Sequence, residues 1–330
     1  MIPTRSLGAN GPAISAIGLG CMAMTEGPCT EGQLREASAT IEDALDSGVT
    51  FLNTGDFYGM GQNELLIGRA LARRRERVFL SVKFGALRDP TGRFFGFDAR
   101  PGLIKAYVTY SLKRLGTDYI DLYQPARLDP SVPIEETVGA IAELIKAGYV
   151  RYLGLSEMGP QSIRRAHAVH RVAAVEYEYS ILAREAEQTL LPTLNELDIG
   201  CVAYGVFTHG LLSGRIRSAA DLRPADLLAQ FPQFQGENLT QNLALVQRLE
   251  AIAEALGLTL PQLAAAWVLA RHAHIVPVIG ARSRESLQGW LGACAIRLRP
   301  EDLDRIDAVA PPGAAAGTRY PVEQMRMIAP

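Results

Sequence analysis

The chain has 330 residues, 48% of them hydrophobic and 21% charged, and its 33 Lys and Arg against 35 Asp and Glu give a formal net charge of −2. This composition excludes disordered and collagen-like classes and leaves room for either two modest domains or one large α/β barrel. The only dense basic run is Arg73, Arg74, Arg75 and Arg77, so no nucleic-acid partner is expected.

The opening MIPTRSLGANGPAISAIGLG carries early Pro and Gly and no long apolar run, so neither a signal peptide nor a membrane span is expected. Within it, RSLGANGPAISAIG reads as a β-hairpin that covers the bottom of a barrel. Cys21, Cys29, Cys201 and Cys294 are scattered, with no C-x-x-C pair and no His at ligand spacing. Reduced thiols, a cytoplasmic location and no metal site are the expectations.

Eight short apolar runs then alternate with amphipathic stretches. The predicted strands are SAIGLG near residue 15, GVTFLNT near 48, VFLSVKF near 78, YIDLY from 119, VRYLGLS from 150, AAVEYEY from 173, IGCVAYG from 199 and HIVPVIG from 274. Each is apolar on both faces, as parallel strands covered by helices are. Between them a helical period recurs, as in Leu34, Ala37, Ile41, Ala44, Leu45 and in Ile134, Val138, Ile141, Leu144, Ile145. Eight units without a mid-chain linker predict one domain over residues 1–330, a closed (β/α)8 TIM barrel with an N-terminal β-hairpin and extra C-terminal helical segments. Two stretches break the rhythm: residues 208–238, expected as a loop over the active face, and the tail PPGAAAGTRYPVEQMRMIAP, expected to be flexible at its start and to fold back across the mouth.

Chemistry in such a barrel sits at the carboxyl ends of the strands. The polar residues there are Asn53, Asp56 and Tyr58 after the second run, Lys83 after the third, and Gln124 and Arg127, with Ala126 between them, after the fourth. Ser156 and Glu157 follow the fifth run, Glu176 the sixth, His209 with Gly210 and Gly214 the seventh, and Arg282, Ser283 and Arg284 the eighth. A Tyr and a Lys facing each other across the mouth can do acid–base work; a rim aromatic with only its hydroxyl wet is the other reading of Tyr58.

The stretches GVTFLNTGDFYG, NELLIGRAL, YIDLYQPARLDP, VRYLGLSE, AAVEYEYS and HGLLSGR, in this order and spacing, resemble the aldo-keto reductase superfamily, in particular its bacterial branch similar to potassium-channel β-subunits. The resemblance runs from the SAIGLGCM segment to Leu291 and implies a TIM barrel that binds NADP(H) and reduces the carbonyls of aldehydes, ketones or sugars. It also implies a catalytic tetrad of Asp, Tyr, Lys and His. Tyr58 and Lys83 match two members, whereas Asn53 stands at the position of the Asp and Ala126 at that of the His. The first histidine in the chain is His167, so no realignment restores the missing one.

Each change has an expected consequence. Asn53 removes an anion and should lower the pKa of Lys83. Loss of the His removes a donor to the substrate oxygen, a change of roughly 100- to 1000-fold in rate. Ala126 leaves a hole for a bulkier substrate or a water. By the same resemblance Ser156 meets the nicotinamide carboxamide, Tyr204 stacks on its ring, and Glu157 is counted among the cofactor-binding residues. Glu176 replaces a Gln beside the carboxamide, where it would favour the oxidised ring and, by burial, approach a general acid. Gly210, Leu212 and Gly214 line a loop around the pyrophosphate, and Arg282, Ser283 and Arg284 clamp a 2′-phosphate. The adenine pair has become Gly289 and Trp290, with Trp290 either stacking on adenine or packed on the barrel. Asp56 is expected as scaffold or helix cap, Arg127 as a residue that holds its loop, and His209 as a candidate replacement for the lost His.

Three functions follow: an NADP(H)-dependent oxidoreductase with an atypical site; a non-redox barrel enzyme (cyclase, dehydratase or isomerase) using Tyr58 and Lys83 for proton transfer; or a binding protein that has lost chemistry. The partner expected is a small-molecule substrate, bulky and apolar if Phe94, Phe95 and Phe97 form a lid, with no membrane and the oligomeric state open.

Overall fold

A computed structural model describes residues 2–27, 29–222 and 227–328. Strands β1 (Thr4–Ser6) and β2 (Ala13–Ser15) pair antiparallel as the expected N-terminal hairpin. The eight predicted strands follow as β3 (Gly18–Gly20), β4 (Phe51–Gly55), β5 (Phe79–Phe84), β8 (Ile120–Pro125), β9 (Val150–Ser156), β10 (Val172–Glu178), β11 (Gly200–Tyr204) and β12 (Ile275–Gly280), with β6 (Ala86–Arg88) and β7 (Phe94–Phe97) between β5 and β8. They close into a parallel barrel in the order β3-β4-β5-β8-β9-β10-β11-β12, with helices between successive strands: the (β/α)8 fold.

The helices form where an apolar stripe meets a cap. In Glu31–Asp46, Thr30 and Gln33 make a reciprocal capping box, and Ala37, Ile41 and Ala44 turn inward. In Ile134–Lys146, Ile134, Val138, Ile141 and Leu144 do the same. A second apolar cluster joins Leu7 and Ile14 of the hairpin to Phe51, Leu122, Ala174, Val202 and Val276 of the strands, so the hairpin plugs the amino-terminal end of the barrel. Full burial of each large side chain there stabilises by about 1.5–3 kcal/mol. Chemistry is thereby confined to the opposite end.

Two expectations change. The stretch 208–238 is not an open loop: it coils into short 3-10 turns at Thr208–Ser213, Ala219–Asp221, Leu227–Gln230 and Pro232–Phe234, while residues 223–226 lie outside the described ones. The start of the tail is pinned, because the Asn242 side chain both accepts from the Ala316 amide (2.8 Å) and donates to its carbonyl (3.0 Å). Beyond it Arg319 and Tyr320 are buried, and the short helix Val322–Met325 follows. Among the described residues no single helix is long and apolar enough to cross a membrane.

Candidate active site

The barrel ring places β4, β5 and β8 side by side and β10 opposite β4. Their inward side chains meet in one buried network. Lys83 on β5 donates from Nζ to Asn53 Oδ1 of β4 (2.5 Å) and to Glu176 of β10 (Oε1 2.9 Å, Oε2 3.1 Å). Asn53 Nδ2 donates to Glu176 Oε2 (2.7 Å), as does Gln124 Nε2 of β8 (2.5 Å). Gly154 of β9 makes the space: a Cβ there would stand 2.6 Å from Gln124 Oε1. Lys83 and Glu176 are only 4% and 3% exposed.

The expectation that Asn53 strips Lys83 of its anion is corrected by this geometry. Burial pushes the ammonium toward neutrality, but the Glu176 carboxylate and the Tyr58 phenol outweigh it and raise its pKa. Glu176 is likewise not arranged as a general acid. Both of its oxygens are already taken as acceptors, by Lys83, Asn53 and Gln124.

Tyr58 opens the one-turn 3-10 helix Tyr58–Gly61, and Lys83 Nζ lies 5.4 Å from its ring centroid. Gly59 in this turn is left-handed (φ 53), and a Cβ on it would stand 2.8 Å from Thr25 Oγ1, so the turn needs glycine. Burial raises the phenol's pKa, Lys83 and Arg127 pull it back, and Glu176 adds to the rise. The hydroxyl is thus a proton holder. Asp56, expected as scaffold or cap, does not cap this turn, which is entered through Phe57 without a side-chain cap bond; its carboxylate instead meets the backbone amides of Gly85 and Phe57. Burial and then Glu64 push its carboxyl up to about 7.

Ala126 is buried and donates its amide to Phe84 O (2.8 Å). Next to it the Arg127 guanidinium is fixed through Nη1, which donates to the Ala126 carbonyl (2.6 Å) and to Ser156 Oγ (3.3 Å). Among the described residues its Nε and Nη2 have no partner. Burial opposes its charge, yet Tyr204, Glu157, Tyr320 and Tyr58 surround it and raise its pKa. Lys83, Tyr58, Arg127 and Ser156 therefore share one mouth.

A second buried cluster faces them. Arg319, from the tail, donates to Glu157 (Nη1 and Nη2, both 3.1 Å) and to Glu178 Oε2 (3.0 Å). Tyr204 donates to Glu157 Oε1 (2.7 Å) and shares a hydrogen bond with the Tyr320 hydroxyl (2.8 Å). Against the upward push of burial, His209 and Arg319 hold the Glu178 carboxyl below its ordinary range. Glu157 is itself in the left-handed region (φ 51). His209 pairs with Glu178 (Nε2–Oε1 3.3 Å), an assignment no spacing foretold. Arg319 and Tyr320 were also missed: a lone RY in a Gly/Ala-rich tail carries no local sign of its partners.

The phosphate-side residues lie at the rim. Gly210 (φ 117) and Gly214 (φ 74) frame the turn, Leu212 is buried, and the amides of Gly210 and Leu212 donate to Phe207 O (2.9 and 3.0 Å). Arg282 pairs with Glu26 (2.6 Å) and Arg284 with Glu36 (3.2 Å), flanking Ser283, which caps the helix Arg284–Leu291. Trp290 is fully buried, so it packs on the barrel and offers no stacking face, while Gly289 is exposed. Phe94 and Phe97, the two ends of β7, pack with ring centroids 4.9 Å apart, and Phe95 between them stands 62% exposed.

A sequence profile of the Aldo/keto reductase family matches residues 16–311. A protein of Glycine max named "Probable aldo-keto reductase 1" is 38% identical over 318 residues, covering 95% of this chain and 90% of its own. The glycerol dehydrogenase of Gluconobacter oxydans has a similar structure, with a TM-score of 0.86 at 27% identity over 93% of this chain and 94% of its own. An aldo/keto reductase of Klebsiella pneumoniae, solved with NADP and acetate, reaches 0.74 at 26% identity over 96% and 98%. Likeness along nearly the whole length, in sequence and in barrel, places this chain in the aldo/keto reductase family.

Proposed function

We propose that this protein is an NADP(H)-dependent oxidoreductase that interconverts a carbonyl and an alcohol, with Tyr58 as proton donor. The observation that carries this reading is the buried Lys83–Glu176 ion pair beneath the Tyr58 ring at the barrel mouth. It keeps a full positive charge in a low-dielectric site beside a protonated phenol, an arrangement suited to giving a proton and then bearing the phenolate. The Klebsiella relative bound to NADP supports the cofactor assignment. Here the donor chemistry fits a phosphate-bearing nucleotide, because two half-exposed guanidiniums flank a capped helix N-terminus at Ser283. Arg282, Ser283 and Arg284 would hold its 2′-phosphate, the turn from Gly210 to Gly214 its pyrophosphate, and Ser156 and Tyr204 its nicotinamide. When bound, NADPH supplies the hydride.

The chain's own part is orientation and proton delivery. The Tyr58 O–H gives its proton to the substrate oxygen, which becomes the hydroxyl. Arg127, held against Ser156 with its Nε–H and both Nη2–H groups unpartnered among the described residues, takes the donor role that Ala126 cannot fill. Met60 (64% exposed) and Phe95 form an apolar rim, favouring a bulky apolar substrate over a small sugar. Four free thiols suit a reducing cytoplasm.

A second reading, proton chemistry without net redox change, is favoured by one observation. The hydroxyl of Tyr204 and the carboxylate of Glu157 are both engaged by the tail. Assays of NADPH oxidation with aromatic and polycyclic carbonyls separate the two. Tyr58→Phe is expected to lower kcat by about 100- to 10,000-fold and Arg127→Ala by about 100- to 1000-fold. An Arg127→Ala enzyme with unchanged kcat would remove Arg127 from the chemistry.

A further inference from the structure

The floor of the site holds one cation and one anion, and the anion sits on β10 with an amide facing it on β4. We infer that Asn53 and Glu176 form a reciprocal charge pair of positions: Glu176 is the positioning residue that keeps Lys83 charged, and the geometry allows the same single anion to be carried at position 53 with an amide at 176.

The argument rests on contacts. Lys83 Nζ touches both side chains, Asn53 at 2.5 Å and Glu176 at 2.9 Å, from opposite walls of the barrel. The two also touch each other, Asn53 Nδ2 donating to Glu176 Oε2 at 2.7 Å. Asn and Asp have the same shape, as do Gln and Glu. In the exchange Asn53→Asp/Glu176→Gln, the introduced carboxylate keeps the Nζ contact and the introduced amide donates back to it. The net charge of the floor, the Nζ contacts to position 53 and to the remaining oxygen at 176, and the contact between the two walls are preserved; the Nζ–Oε2 contact is given up, and Gln124 turns its amide so that Oε1, unpartnered in the wild type, accepts from the new Nε2.

The single changes do not preserve them. Glu176→Gln leaves a buried ammonium with no anion, which burial then drives toward the neutral amine. Asn53→Asp sets two carboxylates within hydrogen-bonding distance around one ammonium, so one of them must retain a proton. The other groups that face this floor are Tyr58 over Lys83, Gln124 from β8, Ser81 from β5 behind Asn53 and Gln124, and Arg127 and Cys21 at longer range. Among the described residues Glu176 is the one carboxylate that contacts Lys83.

The chain has four lysines, Lys83, Lys105, Lys113 and Lys146, so lysine-selective isotope labelling gives a spectrum in which Lys83 can be assigned by Lys83→Met. The expected result is a Lys83 titration above the ordinary lysine range in the wild type, about 2 or more pH units lower in Glu176→Gln, and restored in Asn53→Asp/Glu176→Gln. A Lys83 titration that does not move in Glu176→Gln, or stays low in the double variant, overturns the inference. If Glu176→Gln does not fold, the double variant is expected to fold and melt near the wild type, and its failure to do so also overturns it.

None of these readings uses turnover, so they stand apart from the oxidoreductase assignment on which the functional consequence rests. Where NADPH turnover is found, the double variant should regain at least one tenth of the wild-type kcat with the same pH profile, while Glu176→Gln shifts the profile. A profile that is the same in Glu176→Gln and the wild type would show that Glu176 does not act through Lys83.

Discussion

At the scale of single residues the site is governed by how burial is offset. Lys83 stays charged because Glu176 lies 2.9 Å away, and Tyr58 stays protonated because burial outweighs the pull of Lys83 and Arg127. At Asp56 burial and Glu64 outweigh Arg114 and the backbone amides of Gly85 and Phe57, and its carboxyl rises to about 7. The sign follows from linkage: between the ordinary aspartate value near 4 and about 7 the folded protein holds a proton that the unfolded chain has released, so stability falls as pH rises through that window. Asp56→Asn abolishes this slope. Its melting temperature relative to the wild type should therefore be higher at pH 8 than at pH 4.5, and an offset independent of pH would contradict the assignment. Tyr58, Lys83, Asn53 and Ala126 were legible in sequence because each follows an apolar run at a strand end. The partnership of Glu176 with Asn53 was not, since it joins residues 123 positions apart through the barrel interior, where neither periodicity nor spacing leaves a trace.

Among the elements the tail anchors one of the two buried charge networks. Arg319 is the cation shared by Glu157 and Glu178, two fully buried carboxylates on β9's end and β10. Removing it leaves uncompensated buried charge, so Arg319→Ala should destabilise the fold by about 3–5 kcal/mol in urea unfolding. Amide exchange should quicken around residues 313–321. The contribution of Glu178, whose pKa is depressed, is present above its ordinary value and lost as pH falls through the lower one, so the wild type should lose this stabilisation only in acid. A loss below about 1 kcal/mol would reduce the latch to surface packing. The eight strands were readable because parallel strands are apolar on both faces. The β6–β7 hairpin was hidden because FFGF, one side exposed, imitates a loop aromatic cluster, and the turns within 208–238 because short 3-10 segments have no period.

The whole molecule divides its labour by ends: an apolar plug of Leu7 and Ile14 below, and two buried charge networks above, one bearing Lys83 and Tyr58 and the other bearing the tail. Its near-neutral total charge, −2, gave no hint of this internal polarity, which is balanced inside the barrel rather than on the surface. The central claim is that the upper end performs redox chemistry with Tyr58 as acid. Its most direct test is turnover of a bulky aromatic carbonyl with NADPH deuterated at the transferable position of the nicotinamide. The account predicts one deuterium on the carbinol carbon of the product for each NADPH consumed, and loss of this transfer in Tyr58→Phe. Product formed without deuterium and without NADPH consumption would contradict it and identify a barrel working by proton transfer alone.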